Sequence, residues 1–333
     1  MGGMSRLTLS LACWEYPRTR PILDGRVVPE GINLIPTKSH PADTFWRAFR
    51  VGDFDVTEMS LASMMISLSR GERRWWAIPV FPCRSFFYTW IVCRKDSDIN
   101  SPKDLVGKRF GVPEYQMTAA VWIRGIFDEE FRVRPEDFEW FQERSEHRIP
   151  ITPPGSVRLH TIPPEKNIRD MLLNGELDAI LYGGAGRLVD RGHKPIHQEQ
   201  NIRWMFSDVA EEEKRYYQKT GIFPINHVIV VKKDVLERNP WVSINLYMAF
   251  QDAKRVAYDE EERVFDFVTA PHLVWYRKYL KEQESIFGKD PYPYGFKANR
   301  HVLEKLAHYL YRQGLTERKI EPEELFFENT LDL

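Results

Sequence analysis

The chain has 333 residues, 43% hydrophobic and 29% charged, with a formal net charge of −1. That balance is ordinary for a water-soluble globular protein and gives no electrostatic case for nucleic acid or an anionic membrane. No apolar run approaches the ~20 residues that span a bilayer, and the length suits two lobes better than one core.

"RLTLSLACW" predicts a first strand; as an export signal, "LTLSLAC" is too short and leads straight into the charged "WEYPRTRP". "PADTFWRAFRVG" predicts a helix ending at Gly52, and "DFDVTEM" a strand. "SLASMMISLSRG" predicts a helix with Ser60 as N-cap and Gly71 past its end. "WWAIPVF" and "SFFYTWIVCRK" read as strands on either side of "PCR". "SPKDLVGKRFGVPE" opens a second unit of short helix, strand and turn, followed by a long helix over "MTAAVWIRGIFDEEF". "IRDMLLNG" and "ELDAILYGG" give a further helix and strand. A polar stretch from 191 to 224 then leads to the β-like "INHVIVVKKD". The C-terminal third is helical, with Asn239 and Pro240 opening "PWVSINLYMAFQDAKRVAYD" and a glycine closing "NRHVLEKLAHYLYRQG".

Strands alternating with helices predict an α/β fold with largely parallel sheets. "FRVGDFDVTEMS" and "LLNGELDAILYGG" repeat one unit: helix, glycine, acidic residue, apolar residue, aspartate, apolar strand. One copy falls in each half. Ligands of open α/β sheets sit beyond the carboxyl ends of strands, so two such ends facing each other make a cleft. The chain crosses between halves near "YTWIVCRKD" and "PINHVIVVKKD", as a hinged two-lobe binding fold needs. Residues 1–93 with 224–333 are expected in lobe one, and 95–220 in lobe two.

"RPILDGRVVPEGINL", "FDVTEMSLASMM", "GKRFGVPEYQMTAAVWIRGIF", "GIFPINHVIVVKKDVLERNPW" and "PYPYGFKANRHVLEKLAHYLYRQGLTERKIEPEELF" resemble the 4,5-dihydroxyphthalate decarboxylase family. These segments lie in the family's order over almost the whole chain; "VPEYQMTAAVWIRG" and "PYGFKANR" are the most specific. The resemblance implies a fold similar to type 2 periplasmic solute-binding proteins, with the ligand cleft between two lobes. It also implies a carboxy-lyase that removes one carboxylate of a hydroxylated aromatic diacid as carbon dioxide, leaving 3,4-dihydroxybenzoate from 4,5-dihydroxyphthalate. A solute-binding protein of the same fold, without turnover, is the main rival. A biosynthetic enzyme of the same fold is the third reading.

The chemistry needs groups that hold two carboxylates, deliver a proton to a ring carbon, and tune a phenol. Arginines and helix N-termini suit the first task; histidine or a carboxylic acid suits the second. No pyridoxal, thiamine or nucleotide motif is present, so no cofactor is predicted, with a divalent metal left open. The partner expected is a small aromatic carboxylic acid; an oligomer stays open. The three cysteines, Cys13, Cys83 and Cys93, lack metal-type spacing and suit a reduced, cytoplasmic protein.

His227 is the expected proton donor, because it begins the strand that re-enters lobe one and its ordinary pKa lies near ~6.5. A histidine bonded to backbone is the plainer reading. Tyr115 is the second choice for this role. Ser60 and Thr118 start helices after strand ends and are expected to take a carboxylate with the N–H groups behind them; the plainer reading is ordinary capping. Gln116 lies beside Thr118. Trp122 shares a helical face with Tyr115 and Thr118 but reads better as core. Arg47, Arg84 and Arg124 are candidate carboxylate clamps. Arg124 has Asp128 four residues on, and Arg84, amid apolar strands, needs either a ligand or a structural acid. Arg300 and Tyr294 complete the substrate-binding set, with Tyr292 nearby in the same "PYPYG" turn. His193 and His197 are discounted as a metal pair because Pro195 prevents a helical spacing.

Overall fold

The computed structural model describes residues 6–144, 149–182, 196–266 and 273–333. Eleven strands form two sheets. The first sheet holds β1 (Leu7–Cys13), β2 (Ile32–Lys38), β3 (Val56–Ser60) and β4 (Trp75–Ile78). The second holds β5 (Ile91–Arg94), β6 (Arg109–Val112), β7 (Glu139–Gln142), β8 (Leu159–Thr161), β9 (Ala179–Leu181) and β10 (Ile202–Trp204). The last strand, β11 (His227–Lys232), returns to the first sheet, whose order is β2-β1-β3-β11-β4; the second runs β10-β5-β9-β6-β7-β8.

The sheets are mixed rather than largely parallel. β1, β2 and β3 run parallel, but β11 is antiparallel to both neighbours. β5 is antiparallel to β9 and β10, while β6 to β9 pair in parallel. Apolar patterning fixes which residues enter a strand, not its direction. The antiparallel return has a consequence: it puts His227, the first residue of β11, directly opposite Ser60, the last of β3.

Ten α-helices are described: α1 (Arg20–Leu23), α2 (Pro41–Arg50), α3 (Leu61–Ser69), α4 (Thr118–Ile126), α5 (Ile168–Leu173), α6 (Val209–Thr220), α7 (Lys233–Arg238), α8 (Trp241–Asp266), α9 (Tyr276–Phe287) and α10 (Phe296–Arg312). α3 and α4 are apolar nearly all round, as expected of helices with no solvent face. α10 packs on both, so one apolar cluster runs from the first sheet through α3, α4 and α10 to the second. No helix among the described residues is long and apolar enough to cross a membrane.

The repeated sequence unit has a repeated structural job. After α2 and α5, Gly52 and Gly175 take left-handed conformations at φ 77° and 76°, which a side chain would strain. The aspartate three residues on then bonds the backbone of the neighbouring strand, at the middle of β1 in the first copy and at the start of β6 in the second. Asp55 Oδ2 accepts from Ser10 N–H (2.9 Å) and Asp178 Oδ2 from Arg109 N–H (2.8 Å). The final glycines of the second copy lie outside the described residues.

Two expectations shift. "SFFYTWIVCRK" is not one strand: Phe87–Thr89 forms a 3-10 turn, and only Ile91–Arg94 pairs, in the second sheet. The polar stretch before β11 contains β10 and α6, whose lone buried residue, Tyr216, leaves little apolar signal to read.

Candidate functional site

A cavity of about 450 Å³ opens where the ends of the two sheets meet, and Ser60, Thr118 and His227 all line it. Three helix N-termini border it: His40–Ala42 before and within α2, Ser60 before α3, and Met117–Ala119 at α4. Helix N-termini carry partial positive charge and unpaired N–H groups, so they favour an anion. The apolar walls are aromatic, formed by Trp14, Phe45, Phe87 and Trp90. Flat walls and positive ends suit an aromatic acid.

Period-2 alternation puts Glu58, Ser60 and, by register, His227 on one face of the first sheet. Glu58 is fully buried, and its carboxylate is satisfied from three sides. His227 Nδ1 lies 2.5 Å from Oε1, the Tyr16 hydroxyl donates to Oε1 at 2.6 Å, and Trp14 N–H donates to Oε2 at 2.9 Å. Burial would raise the Glu58 pKa, but the imidazole and the other donors hold it below the usual carboxylate range. Burial would also pull the imidazole down; the Cys83 sulfur and the Glu58 carboxylate beside it push it up to about 10. His227 is therefore an imidazolium at neutral pH. The edge of Phe45 packs against its ring, with centroids 4.8 Å apart.

Ser60 and Thr118 bind each other: their hydroxyls lie 3.0 Å apart, and Thr118 Oγ1 also accepts from Ala62 N–H at 3.1 Å. Both are nearly inaccessible, so they tie α3 to α4 at the cavity floor.

The other expected residues do not gather here. Arg84 lies on the far side of the 84–90 segment and lines a separate cavity of about 480 Å³. Its guanidinium bonds Phe223 O (3.3 Å), Pro293 O (2.8 Å) and Asn299 Oδ1, and burial lowers its pKa to about 10. It has found oxygen acceptors in place of the acid or ligand expected. Tyr115 and Arg124 face away from the cavity. Arg124 stacks on the Tyr115 ring at 3.8 Å and bonds Tyr115 O (2.8 Å) and Gln313 Oε1 (2.7 Å), and α10 covers both. Asp128 is not its partner, because the helix widens into a π turn over Phe127–Phe131 and Asp128 pairs with Arg312. Gln116 is fully buried and off the cavity wall. Arg47 sits on the outer side of α2 against Asp53 (2.8 Å). Tyr294 is buried under Lys254, and Arg300, on the outer face of α10, pairs with Glu304 and Glu323. Trp122 is core, donating to Ile225 O at 2.9 Å. His193 and the His197 side chain lie outside the described residues.

Sequence reading missed Glu58, Tyr16, Asn226 and Arg144. Glu58 left a signal: a glutamate inside an otherwise buried strand must have a partner on its own face. Tyr16 left none, since only the fold brings it near His227; Asn226 precedes His227 in the chain, but its place on the cavity wall is set by the fold. Arg144, at the carboxyl end of β7, also lines the cavity. Among the described residues, no group of three or more His, Cys, Asp or Glu side chains is arranged to hold a metal ion.

No family model matches the chain. It is 35% identical, over 335 aligned positions, to a protein of Comamonas testosteroni named 4,5-dihydroxyphthalate decarboxylase, covering 99% of each chain. A Pseudomonas putida protein of the same name is 37% identical over 198 positions, covering 58% of this chain and 77% of its own. Among solved structures, the periplasmic aliphatic sulphonate binding protein SsuA of Escherichia coli superposes with a TM-score of 0.56 at 12% identity, covering 99% of this chain and 100% of its own. That likeness shows the fold: a two-lobed periplasmic-binding-protein architecture.

Proposed function

The chain belongs to the 4,5-dihydroxyphthalate decarboxylase family, and from that premise we propose that it releases carbon dioxide from a hydroxylated aromatic diacid such as 4,5-dihydroxyphthalate, with His227 as the proton donor. The observation that carries this reading is His227, bonded through Nδ1 to buried Glu58 at the edge of an aromatic, anion-suited cavity.

The chemistry follows from the geometry. The ring lies between the aromatic walls, and the helix N-termini offset the charge of its carboxylates. His227 Nδ1 is committed to Glu58, so Nε2–H is the proton available for transfer. It passes to the ring carbon that bears the departing carboxylate. A hydroxyl para to that carbon supplies the electron pair and becomes dienone-like. The carbon–carboxylate bond then breaks, its electron pair returns to the ring, and carbon dioxide leaves. Water reprotonates the imidazole. General acid catalysis of this kind contributes about 100- to 10,000-fold. Tyr16 and Glu58 are positioning residues, since they act through His227.

The lobes are proposed as residues 1–93 with 224–333, and 95–220. Sheet membership supports the division except at its first boundary, because β5 (Ile91–Arg94) belongs to the second sheet. Three free thiols suit a reducing compartment such as the cytoplasm.

The test is direct. Purified protein incubated with 4,5-dihydroxyphthalate should release carbon dioxide and 3,4-dihydroxybenzoate in equal amounts. Tight binding of hydroxylated aromatic diacids with no release from any of them would replace the enzyme with a solute-binding protein.

A further inference from the structure

The cavity is lined by two cationic side chains, and a buried glutamate stands behind each. From the first sheet comes His227 against Glu58; from the second comes Arg144, whose Nε lies 3.3 Å from Glu114 Oε1. The Glu114 side chain is 4% exposed and that of Arg144 20%. Arg144 stands at the carboxyl ends of the parallel strands β6, β7 and β8, where α/β sheets place their ligands. Its N–H donates to Pro113 O (3.0 Å) and Glu143 N–H to Val112 O (3.0 Å), which ties the segment to the end of β6. Glu114 therefore orients a guanidinium whose backbone is already fixed. No described residue bonds its terminal nitrogens, the end that grips a carboxylate in two places.

The two cations differ in one respect that decides their use. An arginine stays protonated, whereas an imidazolium can give its proton away. A carboxylate clamped by arginine is stabilised as an anion, and that stabilisation is lost as it becomes neutral carbon dioxide. Such a clamp would oppose decarboxylation of the group it holds. His227 gives up its charge as it protonates the ring, so it does not oppose the departure of the group beside it.

We propose that Arg144 binds the carboxylate that the substrate keeps and so makes the site specific for aromatic acids with a second carboxylate, the departing one lying beside His227. This inference rests on the decarboxylase reading above. The kept carboxylate is common to substrate and product, so Arg144 contributes equally to binding both.

The experiment measures kcat and KM on 4,5-dihydroxyphthalate and, by calorimetry, Kd for 3,4-dihydroxybenzoate and for catechol, which has no carboxylate. The proteins are wild type, Arg144→Met, Arg144→Lys and Arg144→Met with Glu114→Gln. The double variant also removes the Glu114 charge that faces Arg144 Nε. Arg144→Met should raise KM and weaken the product by the same factor, about 10- to 100-fold for a charge-assisted bond. It should lower kcat by less than about threefold and leave catechol binding unchanged. Arg144→Lys should fall between, and the double variant should match Arg144→Met. A raised KM with product binding unchanged would mean that Arg144 holds the departing group, and would overturn the proposal. Unchanged KM and product binding in both the Met and Lys variants would overturn it too. If only the single Met variant loses product affinity and the double variant regains it, the effect belongs to the Glu114 charge and the proposal fails. No turnover by the wild type would instead sink the decarboxylase reading, and this inference with it.

Discussion

His227 Nδ1 lies 2.5 Å from Glu58 Oε1 across 169 positions of sequence, and Glu58 stands two residues before Ser60, which the β3–β11 pairing sets opposite His227. Glu58 can be ionised in this apolar site only because the imidazolium, Tyr16 and the Trp14 N–H surround it. The imidazole, in turn, owes part of its high proton affinity to Glu58. The pair is a proton reservoir that only its free nitrogen can spend.

Replacing His227 with asparagine keeps a hydrogen bond to Glu58 but removes the transferable proton. Because a proton donor acts in the transition state, turnover should fall by about 100- to 10,000-fold while binding of an unreactive diacid such as phthalate changes little. Single-turnover product release and calorimetry measure the two quantities. An unchanged rate would take His227 out of the chemistry.

Glu58→Gln removes a charge but keeps the shape. Its effect should be seen in the pH profile more than in affinity. The His227 pKa, about 10 in the native protein, should fall, so the alkaline limb of kcat should move to lower pH by one unit or more. A merely structural glutamate would lower kcat at all pH values without moving the limb. Profiles that superpose after scaling would therefore refute the positioning role.

The same pair makes stability depend on pH, with opposite signs at its two ends. The His227 pKa rises from 6.5 to about 10 on folding, so its contribution is complete below 6.5 and is lost as pH climbs through about 10. The Glu58 pKa drops below 4.5 on folding, so its contribution is complete above 4.5 and is lost as pH falls through the lower folded value. Urea midpoints should therefore peak between pH 4.5 and 6.5 as far as this pair is concerned. Subtracting the profile of Glu58→Gln isolates the pair's contribution. A difference curve that rises between pH 7 and 10 would contradict the assigned direction.

Much of the framework was legible in the chain because it is written locally. The α/β order, the Ser60 cap and the duplicated Gly-acidic-apolar-Asp unit each depend on a few adjacent residues. Asp55 and Asp178 hold neighbouring strands in the two sheets. The site was less legible because its chemistry is assembled across sheets. His227 could be placed at a strand start, yet its partner Glu58 lies 169 positions away, and nothing in either segment reports the antiparallel register. Arg124 misled for a different reason. Helical spacing offered Asp128 or a ligand as its partner, but a π turn displaced Asp128, and Gln313, just past the end of α10 and 189 positions away, took its place. Arginines with buried non-acidic partners, such as Arg84 and Arg124, look the same in sequence as arginines waiting for a carboxylate.

The cavity floor depends on helix packing that a single glycine permits. Ser60 and Thr118 meet because α10 holds α3 and α4 side by side, and α10 reaches α4 through Tyr309 over Gly125. A Cβ at position 125 would overlap the Tyr309 ring. The ring has little room to retreat: its hydroxyl donates to Glu129 Oε2 at 2.6 Å, and Trp122 packs edge-on with centroids 5.5 Å apart. Overpacking of this kind typically costs about 1–3 kcal/mol. Gly125→Ala should lower the urea midpoint accordingly. Tyr309→Leu should relieve the overlap, so the double variant should be more stable than the sum of the two losses predicts. Forcing α10 outward also loosens the Ser60–Thr118 contact, and kcat of Gly125→Ala should fall under conditions where the protein is fully folded. An alanine variant with wild-type midpoint and wild-type kcat would show that α10 does not set the spacing of the two helices beneath the cavity.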